Sequence, residues 1–186
     1  MKRFKCNLRL LFLLSILSCF LLTWCWNNTS SSSQSSMSIA WYFLTYNWNI
    51  KLESLPIKND DSKDIIAIYQ EVWDNVTYRD SLLVAEAYSQ WLWINAFAQN
   101  NLDALISNWL TLTDVKKTQI WIKRGGEKDN AVLVEYKITD WFVSSIPTLY
   151  VSQLFIPNTN SVILMSFMSD EAWASKSASD MFKNIK

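Results

Sequence analysis

The feature that most restricts how this chain can turn is its glycine supply. Gly125 and Gly126, side by side, are the only glycines in 186 residues. Glycine enters left-handed backbone without a steric penalty, so tight hairpins and helix C-termini ordinarily depend on it. The chain meanwhile holds 11 Trp. Average glycine usage of about 7% predicts about 13 glycines in this length, the number that Gly and Trp supply together. The tryptophans also stand where glycine is expected. Asn47-Trp48, Asn108-Trp109 and Asp140-Trp141 close periodic segments, in the manner of Asn-Gly and Asp-Gly turns. Trp91 and Trp93 lie in a strand-to-helix junction, and Trp173 interrupts the small-residue stretch around Ala172 and Ala174. The expectation is that UGA codons meaning glycine were translated as tryptophan, since some bacterial lineages assign UGA to one residue and some to the other. The competing reading is a true Trp-rich carbohydrate binder that stacks sugars on its indoles, Trp91 and Trp93 foremost.

The N-terminus carries an address. Lys2, Arg3, Lys5 and Arg9 form a basic segment, followed by the 13-residue apolar run Leu10 to Leu22. A membrane-spanning helix needs about 20 apolar residues, so this run predicts the hydrophobic region of a signal peptide. It ends in Leu22-Thr23-Trp24-Cys25. That tetrad resembles the lipobox of bacterial lipoproteins: Leu, a small residue, Gly or Ala, then Cys. The resemblance implies a diacylglyceryl thioether on Cys25 and cleavage just before it. Two or three acyl chains then hold the protein at a membrane, which one chain does not do stably. Leu22, Thr23 and Cys25 fit the pattern. Trp24 departs from it, and a glycine there would complete it.

Residues 1–24 are therefore expected to be a lipoprotein signal peptide and 25–39 a lipidated cysteine with a Ser-rich tether. Residues 40–186 are expected to form one folded domain. Without the four N-terminal cations the chain has 13 basic residues against 17 acidic ones, a net charge of about −4. Such a balance argues against a nucleic-acid partner, which needs clustered Lys and Arg. The expected location is the extracytoplasmic face of the cell membrane. The expected partners are the membrane itself, through the anchor, and an envelope protein.

Within the domain, 41–46 and 50–55 read as two short strands across an Asn-Trp turn, and 64–72 and 81–88 as two more. Asn95 to Ser107 places Phe97, Ala98, Leu102, Leu105 and Ile106 near helical spacing, with Asn95 as N-cap. Residues 118–124 and 131–139 flank a hairpin loop, and Val132, Val134, Tyr136 and Ile138 alternate as in a half-buried strand. A second hairpin pairs 149–156 with 161–167. A closing helix over 170–185, capped by Ser169 or Asp170, presents Ala174, Ala178, Met181, Phe182 and Ile185.

From about Ser81 onward this order resembles the PsbP-like fold, shared with Mog proteins and many small bacterial lipoproteins. The residues that carry it are the strand Ser81 to Tyr88, helix positions Phe97, Asn101, Leu102 and Leu105, and Val134-Glu135-Tyr136. Val162 to Phe167 and the ending Met181-Phe182-Lys183-Asn184-Ile185 complete the match. The resemblance implies an α+β fold, a mostly antiparallel sheet sandwiched between helices, and a non-enzymatic binding or assembly role. It supplies no site residues.

A search for chemistry is nearly empty. The chain has no His, and its three cysteines, Cys6, Cys19 and Cys25, all precede the domain. That excludes a His-based triad and a thiolate zinc site, and no cofactor is implied. Ser175-Lys176 is an adjacent pair that could serve a Ser–Lys hydrolase, but a solvated helix surface explains it better. Asp60, Asp61 and Asp64 lack EF-hand spacing. Lys123-Arg124-Gly125-Gly126 lacks the ending of a phosphate loop and reads as a turn. Glu86 and Glu135 are strand carboxylates without an evident cleft.

Overall fold

A computed structural model describes residues 36–39, 42–45, 52–55, 65–71, 78–89, 92–124, 127–139 and 148–185. Cys25, the tether up to residue 35 and the acidic loop of Asp60, Asp61 and Asp64 lie outside the described residues.

Among the described residues, nine strands and two helices follow in order: β1 (Ser36–Ile39), β2 (Tyr42–Thr45), β3 (Leu52–Ser54), β4 (Ile65–Glu71), β5 (Ser81–Tyr88), α1 (Ile94–Ser107), β6 (Leu112–Arg124), β7 (Glu127–Ile138), β8 (Leu149–Pro157), β9 (Ser161–Ser169) and α2 (Ala172–Lys183). Strands β3 to β9 form one seven-stranded sheet in the order β3-β4-β5-β9-β8-β7-β6, and every pairing is antiparallel. β1 and β2 pair separately as a small hairpin.

The expected α+β class, a sheet sandwiched between helices, is corrected by this architecture. The described chain is β-rich: a single antiparallel sheet dominates, and only two helices accompany it. Helical periodicity identifies both helices, but the strands run longer than alternation alone marks. β6 and β7 reach 13 and 12 residues. The two pair from end to end, Arg124 opposite Glu127, as one hairpin.

Three further expectations change. β2 pairs with β1, and β3 with β4, so the hairpin predicted between 41–46 and 50–55 does not form. β1 begins at Ser36, inside the segment assigned to the tether. β7 keeps the expected alternation only in its second half, where Glu135 and Lys137 are less buried than Tyr136 and Ile138; before it, Ala131 and Leu133 are as enclosed as Val132 and Val134. Central strands here bury both faces, and the near-continuous apolar runs of β8 and β9 follow from that.

Two cores result. On one face, α2 and the β1–β2 hairpin cover the sheet, joining Phe182, Met181, Ala178, Tyr42 and Leu44 to Leu82, Leu133, Leu154, Met165 and Phe167. On the other, α1 lays Phe97, Ala98, Leu102 and Leu105 on Val134, Val151, Phe155 and Leu164. The Phe97 and Phe155 rings meet edge to face, with centroids 6.1 Å apart. Each such buried aromatic or leucine contributes about 1.5–3 kcal/mol.

The edges differ. β3 is a three-residue strand. β6 is long but broken in register between Thr113 and Lys116. Asp114, with φ of 53°, sits in that break, where an Asp tolerates the left-handed region better than most residues. Lys116, Lys117 and Lys123 are exposed along the same strand.

Candidate functional site

Of the residues singled out from sequence, Ser175 and Glu135 are linked through Ser152 and Ser179, while Lys176 and Glu86 stand apart from them. Ser175 turns into the core, where its hydroxyl meets Ser152, while Lys176 lies exposed. Glu86 accepts hydrogen bonds from Asn158 Nδ2 at 3.3 Å and from the Ser161 hydroxyl, which fastens the β8–β9 turn to β5. Glu135 accepts the Ser179 hydroxyl at 2.7 Å. Among the described residues, no group of three or more acidic or thiol side chains could hold a metal ion.

What the fold does assemble is a chain of hydroxyls between α2 and the sheet. Ser152 Oγ lies 2.8 Å from Ser175 Oγ and 2.9 Å from Ser179 Oγ, and all three serines are buried. Each hydroxyl has one proton to donate. Ser179 gives its proton to Glu135, while the single Ser152 proton has two acceptors within reach, Ser179 Oγ and the Ser175 carbonyl at 3.0 Å. These bonds hold the polar stripe of α2 on the apolar sheet.

A second cluster sits where β4, β5 and the start of α2 converge. Asp80 is buried, just before β5. Burial pushes its carboxyl up to about 8; a Ser169 hydrogen bond opposes this, and Glu71, Asp170 and Glu171 add repulsion. Glu71 Oε2 accepts the Asp80 backbone N–H at 3.2 Å, and the Asp80 carbonyl accepts the Glu71 N–H at 2.8 Å. Burial also raises the Glu71 and Asp170 carboxyls. Ser169 Oγ accepts the Glu171 N–H at 2.9 Å, although the N-cap Glu171 makes no side-chain cap of its own. The expected cap by Ser169 or Asp170 is thus shifted by one residue. An Asp held near pH 8 is neutral at physiological pH, so the cluster carries less negative charge than its formula.

The α1-covered face holds polar atoms of its own. Gln153 Nε2 donates to Ser166 Oγ at 3.2 Å within an otherwise apolar surround. Among the described residues, Gln153 Oε1, Tyr136 OH and Asn101 Oδ1 are buried without a hydrogen-bond partner. Burial raises the Tyr136 hydroxyl well above its ordinary pKa, so it stays protonated. Apart from Ser175 and Glu135, no member of these three groups stands out in the sequence as a candidate. The available signal was polar letters, Ser152, Gln153 and Ser166, inside strands that are otherwise apolar.

The described tryptophans are Trp93, Trp109, Trp121 and Trp173, and all are exposed, by 86%, 88%, 64% and 50%. Trp93, not the expected Asn95, is the N-cap of α1, and Trp109 follows its C-cap, Asn108. These two indoles stand at opposite ends of a helix about 21 Å long. Trp173 belongs to α2, on the far face of the sheet. The four do not form one stacking platform. Trp91, the other indole proposed to stack sugars, lies outside the described residues.

No family model and no curated protein sequence matches the chain. Among solved structures it is similar to PA94 from Pseudomonas aeruginosa, a protein of unknown function. The likeness has a TM-score of 0.51 and 16% identity over 72% of this chain and 94% of that one, and at that identity it concerns the fold alone.

Proposed function

We propose that this protein is a lipoprotein held on the extracytoplasmic face of the cell membrane by acyl chains on Cys25. Its domain serves as a non-enzymatic binding or assembly-support module for an envelope protein. The observation that carries the reading is the order of the N-terminal segments: a basic stretch, a 13-residue apolar run, Leu22-Thr23 and Cys25, then a Ser-rich tether. Among the described residues no helix is long and apolar enough to cross a membrane. A covalent lipid supplies the attachment that such a helix would otherwise provide.

The module reading draws support from the placement of the candidate catalytic groups. Ser175 and Lys176 face different environments, and Glu86 and Glu135 each serve a structural hydrogen bond. The scattered indoles give no support to a sugar-stacking surface.

Growth with an alkyne-tagged fatty acid tests the anchor. The protein should take up label, and Cys25→Ala should lose both the label and the membrane fraction. An unlabelled protein, or a Cys25→Ala variant that stays bound to membranes as before, removes the proposal.

A further inference from the structure

We infer that residue 109 of the protein made in its own cell is glycine, and that the same substitution applies at the other tryptophan positions, including residue 24. The end of α1 carries this inference. Trp109 has φ of 69°, in the left-handed region where a bulky side chain is a genuine outlier and glycine is the usual occupant. The surrounding bonds define which position this is. The Trp109 N–H reaches Ile106 O at 3.0 Å and the Leu110 N–H reaches Leu105 O at 3.4 Å. Counting from the C-cap Asn108, these are the two bonds of a Schellman motif, with Trp109 in the place that glycine fills. The hydrophobic contact that accompanies the motif is present as well, because Leu105 and Leu110 are both buried in the same core. Backbone, hydrogen bonds and packing all agree on a glycine cap; only the side chain disagrees.

Exposure points the same way. Tryptophan is among the more buried residues on average, yet all four described indoles are at least half exposed. Trp93 caps the N-terminus of α1 without any side-chain bond, and glycine is acceptable at that position whereas large apolar residues are strongly disfavoured. None of the four contributes to either core.

The consequence reaches the processing site. Glycine at residue 24 turns the sequence before Cys25 into Leu-Thr-Gly-Cys, removing the bulky group beside the bond to be cut. That extension to residue 24 rests on the lipoprotein reading above; the inference at residue 109 does not.

The test is mass spectrometry of the protein purified from its native host. The tryptic peptide from Asp80 to Lys116 spans positions 91, 93 and 109. It should be lighter than the written sequence by three Trp-to-Gly differences. A peptide mass carrying three indoles overturns the inference, whatever the state of Cys25. An N-terminal peptide beginning at unmodified residues before Cys25, alongside a glycine-bearing Asp80–Lys116 peptide, would instead sink the anchor and leave this inference standing. In the chain as written, Trp109→Gly should raise the folding equilibrium constant about tenfold, the size of the left-handed penalty, and Trp109→Ala should not. Equal gains from Gly and Ala would contradict the backbone argument.

Discussion

Stability should fall as pH rises through neutrality, and Asp80 should be the main reason. Its carboxyl titrates at 3.8 when unperturbed and at about 8 in the folded domain. Because the folded value is the higher one, the unfolded chain releases this proton first as pH rises. The stabilisation is therefore complete below about 4 and is lost progressively up to about 8. Each unit of difference corresponds to about 1.4 kcal/mol, so from this group alone the domain at pH 7 should be roughly 4 kcal/mol less stable than at pH 4. Glu71 and Asp170 shift in the same direction and steepen the trend. Asp80→Asn retains an oxygen that can accept the Ser169 hydroxyl and removes the titration. Urea unfolding followed by far-UV circular dichroism at pH 5, 6, 7 and 8 measures the difference. The wild-type midpoint should drop across this range, the variant should stay flatter, and at pH 8 the variant should be the more stable. Parallel curves for the two proteins would refute a buried, neutral Asp80.

Other substitutions probe the interior by the same unfolding assay. Ser179→Ala leaves Glu135 and Ser152 without their shared hydroxyl and should cost about 1–3 kcal/mol; a loss below the error of the measurement would contradict the hydroxyl chain. Tyr136→Phe removes a buried hydroxyl that has no partner among the described residues, so stability should hold or rise by about 1 kcal/mol. Phe155→Ala removes a fully enclosed ring from beneath α1 and should cost about 3–5 kcal/mol.

Much of the local structure is legible in the letters. The run Ser81 to Tyr88 is a strand with the predicted bounds, and α1 begins one residue before the expected start. The stop at Asn108-Trp109 is where the helix ends. What periodicity does not contain is pairing between distant segments. β5 lies against β9, so Leu82 pairs with Phe167, and nothing local to either strand announces the other. The first half of β6, Thr113 to Lys117, reads as polar loop because an edge strand with exposed lysines has no apolar alternation to show. Both internal clusters depend on such pairings. Asp80 meets Ser169 because β5 and β9 are neighbours, and Ser152 meets Ser179 because α2 crosses β8. Their members are ordinary residues in sequence and become distinctive only once the sheet order is known.

The two margins of the sheet bear on how the molecule behaves in company. Proteins tethered to a surface, as proposed here, meet one another in two dimensions at high local concentration, and an open strand margin invites chain-to-chain zipping. Among the described residues the outermost strand at one margin is only three residues long. The other is long but interrupted at Asp114 and studded with lysine charge, so an approaching copy meets repulsion and a broken bonding pattern. Neutralising Lys116, Lys117 and Lys123 together would strip that defence and favour polymer over monomer.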